Sequence, residues 1–270
     1  MKKLVFLLAL LLTACSVPNK YTDAQNSTAL LKTSAGQGSA FAVQRTNPFG
    51  KPRTFLWTAN HVVEGFNEVS AVKLVRFEGR KVGECKFTAT VIARDSDLDL
   101  ALLSIDVPPG YFEPVRFARE EWDAVGAPVF IVGNFRGEVF DGSITSGIVS
   151  QVGVHVAGWP WSGPVDQMSA VVVPGASGGP VFSDGGVIGV TVGNNQPGVE
   201  FFVPVRAVRM FAARHRVQFA VDGYGCPGDG ALAALADSAR VVVPVLDAEL
   251  KTILHLPDKK SPTPPLRRIH

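Results

Sequence analysis

Hydrophobic positions in this chain come in short runs, at Phe41 to Gln44, Phe55 to Thr58, Val69 to Val75, Ala89 to Ala93, Leu100 to Ile105, Val129 to Val132 and Val187 to Val192. Glycine, proline or polar clusters bound each run, and that punctuation predicts many short strands rather than long helices. Leu98, Leu100 and Leu102 alternate with other residues, as on a strand with one buried face. Only residues 203–216 read as a convincing helix, with Val205, Val208, Met210, Phe211 and Val217 offering an apolar face. The pattern is that of an all-β chain closed by one helix. Past residue 218 the pattern weakens: Gly223 to Gly230 is a turn-rich break, Ala231 to Ala239 a short helix, and Val241 to Leu246 a strand. From Pro257 onward the prolines at 262, 264 and 265 predict an extended tail.

The N-terminus has a different pattern. Met1-Lys2-Lys3 precedes an apolar run from Leu4 to Leu12, the layout of a secretory signal and too short for a stable membrane span. Leu12-Thr13-Ala14-Cys15 follows the pattern of a bacterial lipoprotein box, in which small residues admit the signal peptidase and the Cys15 thiol accepts a diacylglyceryl group. This predicts a signal peptide at 1–14 and a membrane-attached mature chain beginning at Cys15, with polar residues 15–30 as a tether. Ser16, rather than an aspartate, favours the outer membrane in a Gram-negative host.

Composition narrows the function classes. The 270 residues suffice for one domain of moderate size plus an extension, and 46% hydrophobic residues are compatible with a sizeable core. With 26 basic against 24 acidic residues, no basic stripe interleaved with aromatics and no phosphate-cradling glycine loop, nothing points to nucleic acid. The five histidines show no metal-ligand spacing. In an exported compartment Cys85 and Cys226 are either a disulfide or two free thiols.

The chemistry concentrates in Gly175-Ala176-Ser177-Gly178-Gly179-Pro180, with His61 upstream in Thr58-Ala59-Asn60-His61-Val62-Val63 and Asp99 between them. A serine hydroxyl is a weak nucleophile at neutral pH. It needs a base to take its proton and a third group to fix that base's tautomer, roles open to His61 and Asp99. The surrounding glycines allow a turn tight enough to aim two N–H groups, those of Gly175 and Ser177, at one oxyanion. Taken singly, each motif also fits a glycine-rich turn, a structural histidine or a strand-end charge; the order in which they occur is what argues for catalysis.

These motifs resemble those of chymotrypsin-fold serine proteases, most closely the HtrA/Deg branch. Gly38-Ser39-Ala40-Phe41, Asp99-Leu100-Ala101-Leu102-Leu103, Val132-Gly133-Asn134 and Thr145-Ser146-Gly147-Ile148-Val149-Ser150 follow the same series, so the resemblance covers roughly residues 35–216. It implies a protease domain at 31–218 made of two packed antiparallel six-stranded β-barrels and a C-terminal helix, with the connection between barrels near 107–127. The site would lie in the cleft between them. It also implies a cofactor-free endopeptidase acting on protein or peptide substrates, and it favours Asp99 over Asp97, because Asp99 directly precedes the apolar strand. Residues 219–270 are too few for the peptide-binding PDZ module usual in that branch.

Specificity is harder to read. Val171, where relatives that cut after basic residues carry aspartate, and Val172, with Thr191, Val192 and Gly193 as rim, imply an apolar pocket for P1, the residue whose carbonyl is attacked. Small to medium aliphatic P1 residues are then expected. Glu200 stands where HtrA-like enzymes usually have glycine, and the cost of burying an unpaired carboxylate predicts that it faces solvent or a basic partner. A catalytically idle, peptide-binding lipoprotein on the same fold is the competing function.

Overall fold

The computed structural model describes residues 19–241 except 78, 120–123, 157–160, 197 and 224–225, and leaves out the side chain of residue 195. Cys15 and the signal segment, residues 242–246 of the expected last strand, and the proline-rich tail lie outside the described residues.

Twelve strands form two closed barrels of six. The first contains β1 (Thr28–Lys32), β2 (Gln37–Thr46), β3 (Pro52–Thr58), β4 (Glu68–Phe77), β5 (Arg80–Asp95) and β6 (Leu100–Ile105), in the order β1-β2-β3-β6-β5-β4. The second contains β7 (Pro128–Phe135), β8 (Phe140–Val154), β9 (Val165–Met168), β10 (Pro180–Ser183), β11 (Gly186–Gln196) and β12 (Val199–Pro204), in the order β10-β11-β12-β9-β8-β7. All pairings between these strands are antiparallel.

The period of two in each strand explains why the apolar runs are continuous. On β2 and β3, Ala40, Ala42 and Leu56 fill the first barrel, while Phe41, Val43, Phe55 and Trp57 face a second core shared with the other barrel. On β6, Ala101, Leu103 and Ile105 point inward and Leu100 and Leu102 outward into that shared core. The second barrel repeats the division: Val129, Ile131, Ile188 and Phe202 point inward, and Phe130, Val132, Val190, Phe201 and Val203 face the shared core. Strands buried on both faces have no polar side, so they lack simple alternation. The shared core presses the barrels together and so fixes the cleft in which their loops meet.

The helix after β12 is shorter than expected, because β12 runs on through Pro204. This helix (Val205–Arg214) buries Val205, Ala207, Val208, Phe211 and Ala212 in the shared core, whereas Met210, expected on the apolar face, is half exposed. The packed body extends beyond residue 218. A four-residue helix, Phe219–Asp222, buries Phe219, Ala220 and Val221, and Arg45 donates to the Phe219 and Val221 carbonyls at 2.5 and 3.0 Å. The final described helix, Asp229–Ser238, adds Leu232 to the same core.

The segment expected as a tether is also structured in part. Lys20–Asn26 is helical, capped by Asn19, whose side-chain oxygen accepts from the Tyr21 N–H, and β1 begins at Thr28. Gln25 Nε2 donates to the Gly142 carbonyl at 2.7 Å, and Lys73 Nζ donates to that of Asn26 at 2.7 Å. Cys85 and Cys226 are both free thiols; Cys85 sits on β5, and Cys226 is buried in the shared core.

Candidate active site

His61 lies in a single helical turn, Asn60–Val62, directly after β3, and Asp99 closes the turn between β5 and β6. Asp95 shapes that turn, its Oδ1 accepting from the N–H groups of Asp97 and Leu98 at 3.0 and 3.1 Å. Asp99 is held at φ 51°, in the left-handed region that non-glycine residues seldom enter. Such a conformation persists where surrounding contacts over-determine it. Here those contacts are with the histidine turn: the Asp99 carbonyl accepts from Asn60 N–H at 3.1 Å, Oδ1 from His61 N–H at 2.9 Å, and Oδ2 is 2.7 Å from His61 Nδ1. The third contact assigns the proton to Nδ1 and leaves Nε2 as the basic nitrogen. Burial pushes the Asp99 carboxyl above its ordinary value, against the pull of the His61 contacts. Asp97 is exposed and gives its backbone carbonyl to Gly163 N–H, so the structure pairs Asp99, and not Asp97, with the histidine.

Ser177 comes from the second barrel, in the loop before β10. Ser39 N–H on β2 donates to the Ser177 carbonyl at 2.8 Å, and Gly178 N–H donates to the Thr191 carbonyl at 2.7 Å. Gly178 has φ 87°, and a Cβ there would fall 2.1 Å from the Ser39 carbonyl oxygen. Gly175 has φ 96°, and a Cβ would fall 2.4 Å from that of Asn134. Both positions therefore need glycine. Arg136 N–H donates to the Pro174 carbonyl at 2.7 Å. Since C=O and N–H of a trans peptide point in opposite directions, this contact turns the Gly175 N–H the other way. Among the described residues neither the Gly175 nor the Ser177 N–H has an acceptor. The Ser177 hydroxyl donates to the Val192 carbonyl at 3.1 Å rather than to His61.

The sequence left Ser39 and Asn134 without a role, although both lie in the motifs it flagged. Ser39 Oγ donates to the Gly175 carbonyl at 2.6 Å and accepts from Asn134 N–H at 2.8 Å, while Asn134 Oδ1 accepts from Gly142 N–H at 3.1 Å. Trp161 was missed altogether, because no local pattern marks a ring that reaches the site from a distant loop. Its indole stacks on the His61 ring, centroids 5.3 Å apart.

The pocket residues divide. Val172, Thr191 and Val192 are buried and Gly193 is partly so, but Val171 is 50% exposed, and its carbonyl accepts from Thr145 Oγ1 at 2.7 Å. Val171 is thus more open to solvent than the other residues assigned to the pocket. Glu200 corrects the sequence reading more sharply. It is 0% exposed, not facing solvent, with no basic partner among the described residues. Oε1 accepts from Gly198 N–H at 3.2 Å. Burial pushes its carboxyl above the usual range, opposed by the amides of Gly198 and Val172 and by Asn194. The expectation failed because the cost of burial was weighed while the strand parity of β12 was not. Among the described residues no group of three or more His, Cys, Asp or Glu side chains is placed to hold a metal.

Residues 38–190 match the trypsin-like peptidase domain family. A probable periplasmic serine endoprotease, DegP-like, of Rhizobium meliloti is 32% identical over 182 residues, covering 64% of this chain and 32% of that protein. The chain spans about a third of the length of the curated relatives it matches. Among solved structures, the HtrA-type protease AlgW with tripeptide has a TM-score of 0.59 at 21% identity, covering 74% of this chain and 64% of that one, a likeness of fold. The Rv3671c protease of M. tuberculosis, in an inactive form, has a TM-score of 0.55 at 25% identity, covering 74% and 95%.

Proposed function

This chain belongs to the trypsin-like peptidase domain family, and on that premise we propose that it is an exported, membrane-tethered serine endopeptidase using His61, Asp99 and Ser177. The observation that carries the proposal is the doubly anchored His61–Asp99 pair, backbone and ring both held by one buried carboxylate, opposite a serine loop with two amides left unbonded. Export is supported by the signal-like N-terminus and by the periplasmic description of the Rhizobium relative. The tether rests on the Cys15 motif.

In the reaction the Ser177 hydroxyl leaves the Val192 carbonyl and turns to His61. Oγ attacks the scissile carbonyl carbon as its proton passes to Nε2, and Asp99 stabilises the resulting imidazolium. The carbonyl oxygen, now carrying the negative charge, takes hydrogen bonds from the Gly175 and Ser177 N–H groups; losing one such donor costs about 3 to 4 kcal/mol in comparable sites. Collapse of this intermediate breaks the C–N bond, and His61 returns the proton to the leaving amine. Water then attacks the acyl carbonyl carbon as its proton passes to His61, and the C–Oγ bond breaks as His61 gives that proton to Ser177, releasing the acid.

The Ser177–Val192 contact favours a second reading, that of an idle peptide-binding protein whose serine is parked. A fluorophosphonate probe separates the two. Labelling of the wild type but not of Ser177→Ala or His61→Ala supports the endopeptidase, and an unlabelled wild type supports the idle protein. Export and lipid attachment are checked by metabolic labelling with a fatty-acid analogue, which Cys15→Ser should abolish.

A further inference from the structure

Glu200 pairs in register with Asn194 of β11 and Met168 of β9. On β12 it shares the parity of Phe202, which fills the second barrel, rather than that of Phe201 and Val203, which face the shared core. Its carboxylate therefore points to the mouth of the second barrel, where Val172 of the segment leading to Ser177 closes over it. Two walls meet at this point. One is residues 172–177; the other is residues 192–194 of β11. They are joined at one end by Ser177 Oγ donating to the Val192 carbonyl at 3.1 Å, and at the other by Asn194 Nδ2 donating to that of Val172 at 3.1 Å. Glu200 sits at the Asn194 end, its side chain buried where the two walls meet.

The Glu200 carboxyl is incompletely satisfied. Oε2 is buried with no hydrogen-bond partner among the described residues, while Oε1 accepts from the Gly198 amide and the Val172 amide and Asn194 side chain oppose the effect of burial. Removing a carboxylate from water without a counter-ion is strongly unfavourable. The resemblance to HtrA-like enzymes implies that this carboxylate lies at the P1 pocket, and among the described residues the fold supplies no cation for it.

We propose that Glu200 is the P1 specificity determinant and that the missing cation is the side chain of a substrate lysine or arginine. This rests on the endopeptidase reading above. The incoming ammonium or guanidinium passes between the two walls, displaces the Asn194 carboxamide from the Val172 carbonyl and donates to Oε2. The aliphatic stem of the same side chain packs against Val172 and Val192, which gives the apolar walls a use alongside the carboxylate.

The test uses the chain from Ser16 to His270 and fluorogenic peptides differing only at P1. Wild type is expected to cleave after Arg or Lys about 100-fold more efficiently than after Val or Ala, and Glu200→Gln to lose most of that preference. Binding of p-aminobenzamidine to Ser177→Ala, followed by its fluorescence, should disappear when Glu200→Gln is added. A wild type that prefers Val or Ala overturns the proposal, whether or not the glutamine variant folds. If the wild type takes no fluorophosphonate and cuts no peptide, the endopeptidase reading fails. The amidine titration then decides alone: binding that depends on Glu200 supports a cation-binding slot, and no binding overturns it.

Discussion

The indole of Trp161 lies nearly parallel to the imidazole of His61, with 26° between the ring planes and 5.3 Å between centroids. One face of the proposed base is thereby covered by a side chain from the second half of the molecule. Contacts of this kind contribute about 0.5 to 1.5 kcal/mol. Trp161→Ala should reduce kcat/KM by a factor of about 2 to 10 on small peptides, through freer motion of His61. The same change should improve the relative turnover of substrates with a bulky residue beside P1, which now meets open space. Steady-state kinetics on paired peptides checks both effects, and equal losses for small and bulky substrates would argue against a steric role.

Asp99→Asn isolates the tautomer from the fold. Asparagine tolerates a left-handed backbone well, so the φ of 51° is no obstacle to it. The amide keeps an oxygen for the His61 backbone but not both charge and acceptor for the ring. Turnover is expected to fall by about four orders of magnitude with thermal stability close to wild type. If Asp97→Asn gives that loss instead, the assignment of the aspartate is wrong.

Ser39→Ala removes the hydroxyl between the partly buried Gly175 carbonyl and the buried Asn134 N–H and leaves both groups without that partner. The cost to stability should be about 1 to 3 kcal/mol, read from urea denaturation. Activity should drop further than stability alone explains, because the Gly175 peptide loses one of the contacts that orient it. Fluorophosphonate labelling rates under conditions where the variant is fully folded measure that part.

Lys73 gives a pH dependence with a definite sign. Burial, with a smaller contribution from Arg76, lowers its ammonium to about 8 from an ordinary 10.5. Below about 8 the folded and unfolded chains are both charged there, and the whole penalty is present. Between 8 and 10.5 the folded state gives up its proton first, so the unfolded state binds more protons and stability rises with pH. The gain approaches about 3 kcal/mol at the upper end. Urea midpoints of wild type and Lys73→Met, compared from pH 7 upward, should show that rise only in the wild type. Parallel curves would mean that the lysine is better solvated than its position under Phe112 implies.

The sequence made the strands legible through the length and punctuation of its apolar runs, and the two barrels and candidate site through the ordered motifs and the family resemblance they carry. It concealed whatever depends on which face of a strand a residue occupies. Glu200 is the main case: its neighbours in sequence are Val199 and Phe201, but its neighbours in space are Gly198 N–H, Val172 and Asn194. Val171 and Val172 look equivalent in sequence, yet the first is half exposed and the second buried. The polar composition of residues 19–26 suggested a solvated tether, whereas an asparagine cap, the Gln25 amide on the Gly142 carbonyl and the Lys73 ammonium on the Asn26 carbonyl hold a helix there. Trp161 left no trace at all, since stacking on His61 depends on a register between two halves that no local pattern encodes.

Ser39 joins the two barrels at the point of chemistry, its N–H on the carbonyl of the nucleophile and its hydroxyl on that of Gly175. His61 and Asp99 are carried by connections of one barrel and Ser177 and both amides by a loop of the other, so neither barrel holds the whole of the proposed site. Activity therefore reports on the seam itself. Mild denaturant that loosens the shared core should silence the enzyme while each barrel still shows its strand signal, and dilution should restore activity as fast as the two halves can re-dock. By this construction the chain would lose catalysis before it loses its strands.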